Sequence, residues 1–557
     1  MLSAEDEKLF RQWEVTHLDT HHERLRLWSH TGDEAGFAVL ALHDSLLLDE
    51  AVAAGAGPWH AASTASVIGS APKIHAIQEG VSQALRWLLP RIPPAGVRPV
   101  LDEGLYKLAS EFVDFGEQYV HLSDLHKLYG KGLADVHIER TPPTVTFDIQ
   151  EVDGATPPIT AFVERIANQS RHVLAQDSTP YHALSKTFSA YSTAPRNGRL
   201  ELVNPARSIT STNVELALKR GVPDLPEIVA STPLPAFTVG EFDRVWAGLW
   251  LWSFIAQFDY VRRAIAGEIK HAIWPTQLNE TAEVITVLSR ACGLDSLVVE
   301  RILRTLALDT RLPAADLWLQ PLLFGTATMA WSVRTIMVSR PRRNLFRLLA
   351  RTGYSDEVAE VVGQLASPTA TRLAAKLKKY GYVVEMSINV SNSSKSGEVD
   401  LLAWSKMARF ELLVVECKGS LPPDEVAEVA SLTKTATHAK EQLRRCLALL
   451  ASSGPALMKK YPSIPWLEIQ TRVGLIVFYD GTPDHGYSHE EFPATDLPTI
   501  LRGMRSRDFK SPSHIATAVR SGSARAHSCE FNRGHNDVSV DGVTYRIPFS
   551  EIENSRT

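Results

Sequence analysis

At 557 residues the chain exceeds what one hydrophobic core supports, so roughly two to four domains are expected. A hydrophobic share of 44% and a charged share of 22% are those of an ordinary soluble globular protein, which excludes a disordered or fibrous chain. Net charge is −5, from 58 basic and 63 acidic side chains, which excludes a globally basic nucleic-acid coat but not a local basic groove.

The opening segment, MLSAEDEKLFRQWE, is charged and has no signal-peptide apolar core. From there to His30 the pattern is helical. His17 and His21 have the i, i+4 spacing of a helical metal pair, but no HExxH pattern accompanies them. They, His22, and His43 beside Asp44 are expected to be ordinary surface or half-buried histidines. ADVHIERTPPTVTFDIQEV alternates apolar and polar residues around a Pro-Pro break, which predicts a hairpin. VWAGLWLWSFIAQF, Val245 to Phe258, is too short to span a bilayer and runs straight into Asp259 and Arg262. Trp246, Trp250 and Phe254 recur every four residues, so a buried core helix is expected and no membrane association. Between about Thr238 and Ala366 the chain is mainly helical. There SVRTIMVSRPRRNLFRLLAR gathers Arg334, Arg340, Arg342, Arg343, Arg347 and Arg351 around Phe346. That cluster reads equally as a DNA-contacting helix or an interdomain hinge.

The pattern changes at Ser367-Pro368. Ser367 is expected to cap a helix whose first position is Pro368, and Gly381 to end it as a left-handed residue. Strands YVVEMSINV, GEVDLLAW and FELLVVECKG follow, then the helix TKTATHAKEQLRRCLALLA and the strand TRVGLIVFYD. Helix, three strands, helix, strand predicts an α/β domain with a mixed central sheet flanked by helices. The expected division is a mixed α+β region over 1–237, a helical region over 238–366 and the α/β domain over 367–557, an α-rich α+β part followed by an α/β part. Beyond Gly481 the pattern is harder to read. His527, Cys529 and His535 lie close together there, without a fourth ligand for zinc. The four cysteines (Cys292, Cys417, Cys446, Cys529) are scattered without CxxC spacing, which fits a reducing cytosol and a cytoplasmic protein. No nucleotide-binding glycine loop or G-x-S-x-G elbow is present.

Chemistry concentrates in GEVDLLAW and VVECKG. Side chains alternate faces along a strand, so Glu416 and Lys418 project to one side and Cys417 to the other. The short connection to Asp400 predicts an antiparallel hairpin that makes Asp400 a neighbour of Glu416. Two adjacent carboxylates repel unless a cation lies between them, and hard oxygens suit Mg²⁺ or Mn²⁺. Lys418 is placed to orient a water or to stabilise a developing phosphorane charge.

Over about residues 367–480 this arrangement resembles the catalytic core of the PD-(D/E)XK nuclease superfamily, the restriction-endonuclease-like fold. Asp400 matches the family's first Asp and Glu416-Cys417-Lys418 its (D/E)-x-K. SGEVD is similar to the Gly-x-x-Asp form of the Mrr-like and resolvase-like branches, whose glutamine in the next helix is matched by Gln442. The resemblance implies a metal-dependent endonuclease that hydrolyses DNA to 5′-phosphate and 3′-hydroxyl ends. It implies Mg²⁺ or Mn²⁺ held by Asp400, Glu416 and the Cys417 carbonyl, with Lys418 and Gln442 completing the catalytic set. Many members also carry a metal-binding glutamate on the first helix, where this chain has Thr369, Ala370 and Thr371; Glu398 is the candidate substitute. Arg372 and Lys376 on the first helix, and Lys440 and Arg444 on the helix with Gln442, are the candidate phosphate contacts. By analogy the role is restriction or antiphage defence, with the N-terminal region as sensor or specificity module for an unidentified trigger or partner. Double-strand cutting from one site per chain favours a homodimer. Two alternatives stand beside this: a degenerate nuclease fold that only binds nucleic acid, and a protein-interaction scaffold with a regulated accessory nuclease.

Overall fold

A computed structural model of the protein describes residues 3–53, 71–91, 102–130, 134–141, 144–151, 193–196, 199–219, 222, 224–268, 275–309, 316–325, 327–391, 396–405, 408, 410–421, 426–452, 454–480, 492–504, 511–520, 531–540 and 542–552. The chain is mixed α/β with several small sheets and divides into two units. One is built from Met1–Val152, Ile166–Ser355 and His535–Phe549; the other centres on Asp356–Gly534. Cys529 and His527 lie outside the described residues, as does the side chain of His535.

In the first unit, helices Gly32–Ala53, Ala71–Arg91 and Glu103–Gly130 share one apolar core. The predicted hairpin forms from Ala134–Thr141 and Thr144–Glu151. The tryptophan-rich run lies in the helix Val239–Ile265, opened by a Thr238–Glu241 capping box. Trp246, Trp250 and Phe254 are all buried there, as their spacing requires. Among the described residues no helix is long and apolar enough to cross a membrane.

A polar node explains why residues 238–355 belong to this unit rather than to a separate helical region. Asp44 is buried and accepts hydrogen bonds from the Thr276 and Ser332 hydroxyls, at 2.5 and 2.7 Å, and from the Val333 and Arg334 N–H groups. His43 Nδ1 lies 2.9 Å from Ser332 Oγ, and burial pulls its imidazole down to about 3. The Ser, His and Asp here are sealed from solvent, so they form a structural tie and not a nucleophile system. His17 and His21 are half-buried, as expected, His17 stacked on Trp13 and His21 packed against Phe115; His22, against Trp87, and His43 are buried, which corrects the surface or half-buried expectation for those two.

The arginine cluster is also internal. Arg334, Arg342 and Arg347 are buried, and Arg342 forks onto Asp243 at 2.5 and 3.0 Å while donating to the Leu225 and Ile228 carbonyls. Arg343 pairs with Asp224 at 3.2 Å. The buried Arg334, Arg342 and Arg347 are not available to a DNA surface, and the Arg342–Asp243 pair ties this interior together, while Arg340, Arg343 and Arg351 are half-buried.

The second unit has a five-stranded mixed sheet in the order Ala494–Asp496, Thr471–Phe478, Glu411–Lys418, Ser396–Ser405, Tyr382–Ser391. The two strands that follow Gly381 pair antiparallel with each other, and the second pairs antiparallel with Glu411–Lys418. The Thr471–Phe478 strand runs parallel to Glu411–Lys418. The helix Ala366–Lys379 covers one face, packing Leu373 and Leu377 against Leu401, Leu413 and Val415. The long helix Val426–Ser452 covers the other, packing Ala439, Leu443 and Cys446 against Leu402, Val414 and Ile476. Gly381 takes φ +82°, ending the first helix as expected.

Two expectations are corrected. Ser367 and Pro368 lie inside the first turn of Ala366–Lys379, whose N-cap is Leu365. The preceding helix Ser355–Gly363 runs almost into it, so the second unit begins about eleven residues before the expected Ser367 boundary. Part of the tail, His535–Phe549, also groups with the first unit rather than with the 367–557 domain. The strand Val543–Ile552 pairs parallel with Thr144–Glu151, extending the N-terminal hairpin to four strands. The edge of Thr144–Glu151 is thereby covered by a strand about four hundred residues later.

Candidate active site

The Glu411–Lys418 strand is apolar because it is central: Leu412, Leu413, Val414 and Val415 are fully buried between the two helix layers. Its alternation sends Leu413, Val415 and Cys417 toward the first helix and Leu412 and Val414 toward the long helix. Glu416 and Lys418 continue the second series, which places two charges at the end of an otherwise apolar face. There Lys418 Nζ donates to Glu416 Oε1 at 2.7 Å and to Gln442 Oε1, on the long helix, at 2.9 Å. Glu416 is 2% exposed and Lys418 20%.

The last ladder pair between Ser396–Ser405 and this strand is Leu401 opposite Val415. One step further in the same register sets Asp400 opposite Glu416, and residues directly opposite share a face. The backbone ladder has ended there, and Asp400 replaces it: its Oδ2 accepts from the Cys417 N–H at 2.6 Å. A carboxylate caps an amide that the neighbouring strand no longer satisfies.

Electrostatics follow from this packing. Burial raises the Asp400 carboxyl, opposed by the Cys417 N–H and by Lys418. Burial and then the Asp400 charge push Glu416 up to about 7, against the pull of Lys418. Lys418 alone offsets only part of this, one ammonium against two carboxyls, so the pair is short of positive charge. The hydrogen bonds among the described residues use Oδ2 of Asp400 and Oε1 of Glu416, leaving Oδ1 and Oε2 for a cation. Two hard carboxylate oxygens with unmet demand for positive charge fit Mg²⁺ or Mn²⁺.

The other sequence candidates are placed less tightly. Glu398 is exposed; its charge raises both Asp400 and Glu416, and its carbonyl accepts from the buried Cys446 thiol at 3.3 Å. Among the described residues no group of three or more His, Cys, Asp or Glu side chains is arranged to hold a metal. Thr369 is buried with its hydroxyl on the Leu365 carbonyl at 2.7 Å. Arg372 and Lys376 sit on the first helix, across the sheet from the face of Glu416 and Lys418; Lys376 lies over the Tyr380 ring. Lys440 and Arg444 are on the long helix with Gln442, but at about 100° per residue they fall on the opposite flank of its buried stripe. Burial and the Arg444 charge pull the Lys440 amine down to about 8.

Sequence reasoning missed two supports. Gly419 follows Lys418, and a Cβ there would collide with the Val362 carbonyl oxygen, so the end of helix Ser355–Gly363 rests on the backbone beside the site. The "ECKG" glycine was the available signal. Ser387 takes φ +51° opposite Asp400, and no sequence signal marks it. Comparison of the chain with protein-family models, with curated proteins and with solved structures found no match.

Proposed function

We propose that the second unit is a metal-dependent phosphodiesterase site of the PD-(D/E)XK kind, acting on DNA. The observation that supports it most is the set Asp400, Glu416, Lys418 and Gln442 drawn from two strands and one helix, with Asp400 bound to the Cys417 N–H one step beyond the Leu401–Val415 pair and Lys418 bound to Glu416 and Gln442. Asp400, Glu416 and the Cys417 carbonyl would hold the ion, which when bound supplies Lewis-acid activation of water and neutralises phosphate charge. Asp400 and Glu416 fix position, since one is tied to the Cys417 amide and the other is packed under the long helix. Lys418 delivers a positive charge and a proton donor to the same edge, and Gln442 sets its direction through the 2.9 Å bond. Cys417 itself is turned away: burial drives its thiol well above the usual range, so it is not a nucleophile.

The test is incubation of the purified chain with supercoiled and linear DNA plus Mg²⁺ or Mn²⁺. Nicking that disappears in Asp400→Ala and in Lys418→Ala supports hydrolysis. The second reading, a binding-only module, is favoured by Thr369, whose buried side chain occupies the region where a family glutamate is expected. DNA binding without cleavage, unchanged by either substitution, selects that reading. A role in restriction or antiphage defence, with the first unit as sensor, is the corresponding biological proposal; activity that appears only with a partner or trigger supports it.

A further inference from the structure

Tyr382–Ser391, at one edge of the second unit's sheet, and its neighbour Ser396–Ser405 change face at one place. Tyr382, Val384 and Met386 pack on the side of the first helix, yet Ile388 and Val390 pack under the long helix. Strict alternation puts all five on one side. Their partner strand does the same: Leu401 and Ala403 face the first helix, whereas Val399 joins the long-helix core. Beyond it, a Cβ on Gly397 would meet Cys446 Sγ on the long helix at 3.2 Å. The register itself is unbroken across the pairs Met386–Leu401 and Ile388–Val399, so both strands slip by one residue in facing alone, and the residues between those pairs are Ser387 and Asp400. Ser387 accommodates the slip with φ +51°, a left-handed conformation that few non-glycine residues adopt. It is exposed, so burial of its own side chain is not the cause.

We propose that Ser387 is a positioning residue for Asp400: its left-handed backbone fixes the slip at this pair and so keeps the Asp400 carboxylate beside Glu416. The physical constraint is two-sided. Ile388, Val390 and Val399 are fully buried under the long helix, and Leu401 and Leu402 are buried in their own cores, so a slip has to occur between the two groups. A slip one residue later would rotate Asp400 to the other face and break its 2.6 Å bond to the Cys417 N–H. An outlier of backbone geometry at a constellation of charged groups is where strain is stored for positioning.

The proposal rests on the metal-site reading for one of its two readouts only. In the full-length chain, single-residue hydrogen exchange at the Cys417 amide is measured without metal, and Mn²⁺ affinity is measured by calorimetry. Ser387→Val, whose β-branched side chain opposes positive φ, should speed Cys417 exchange relative to Val415 and weaken Mn²⁺ binding by about tenfold. Ser387→Gly, which adopts positive φ without penalty, should keep both at the wild-type values. If the valine variant does not fold, Ser387→Ala should shift both readouts in the same direction by a smaller factor. Unchanged Cys417 exchange in the valine and alanine variants, or a loss in the glycine variant equal to that in valine, overturns the proposal. A wild-type chain that binds no Mn²⁺ but whose Cys417 exchange still depends on residue 387 supports the positioning role and sinks the nuclease reading instead.

Discussion

Replacing Glu416 with glutamine keeps the side chain's shape and removes its charge. Burial and the facing Asp400 raise this carboxyl from its ordinary 4.5 to about 7 in the folded chain. Raising a carboxyl's pKa by one pH unit corresponds to about 1.4 kcal/mol, so the ionised form costs on the order of 3 kcal/mol of folding free energy without metal. The sign follows from proton counting. Between pH 4.5 and 7 the folded state holds more protons at this position than the unfolded state, so stability falls as pH rises through that window. Stability is fully present below 4.5 and the loss is complete above about 7. Urea titrations read by hydrogen exchange of the Glu411–Lys418 amides follow this unit without interference from the other. Wild type should lose about 3 kcal/mol across the window, and Glu416→Gln should lose little of it. Added Mg²⁺ should restore the wild-type loss at about pH 8 and leave the variant unchanged. A wild-type profile that is flat or rising from pH 4.5 to 7, superimposable on that of Glu416→Gln, refutes the electrostatic account of the site.

Gly419→Ala sets a methyl against the Val362 carbonyl oxygen, so it should cost about 1–3 kcal/mol or more, seen as faster exchange at the end of the Glu411–Lys418 strand. Lys440→Ala and Arg444→Ala, if these side chains meet phosphates, should each lower the slope of log binding constant against log salt by about 0.9 for every phosphate charge they neutralise; an unchanged slope removes them from the interface. Mn²⁺ affinity itself should fall about tenfold per pH unit below about 7, because Glu416 must release its proton to bind.

Legibility in the sequence followed the range of the interactions. Strand alternation and the short connection were enough to predict the antiparallel pairing that brings Asp400 to the Cys417 amide, because a hairpin's register is set locally. The four-residue spacing of Trp246, Trp250 and Phe254 likewise revealed a buried helix. What escaped were long-range pairings. The strand Val543–Ile552 joins Thr144–Glu151 across roughly four hundred residues, and no local pattern encodes that partner. Arg342 fell in a cluster read equally as a DNA-contacting helix or an interdomain hinge, because its neutralising partner, Asp243, stands about a hundred residues earlier. Ser367-Pro368 imitated a helix start, but proline is tolerated anywhere in a first turn, and the helix had begun at Ala366. Ser387 was invisible for another reason: nothing in its own identity asks for positive φ, which the two cores on either side of it impose.

The central claim is that Asp400 and Glu416 share a divalent cation. Crystals of the full-length chain, soaked in Mn²⁺ and recorded at the manganese edge, test it most directly. The expected result is one anomalous peak in contact with Asp400 Oδ1 and Glu416 Oε2, with Lys418 beside it. An ordered site with no peak, and Lys418 still bound to Glu416 in saturating Mn²⁺, contradicts the claim.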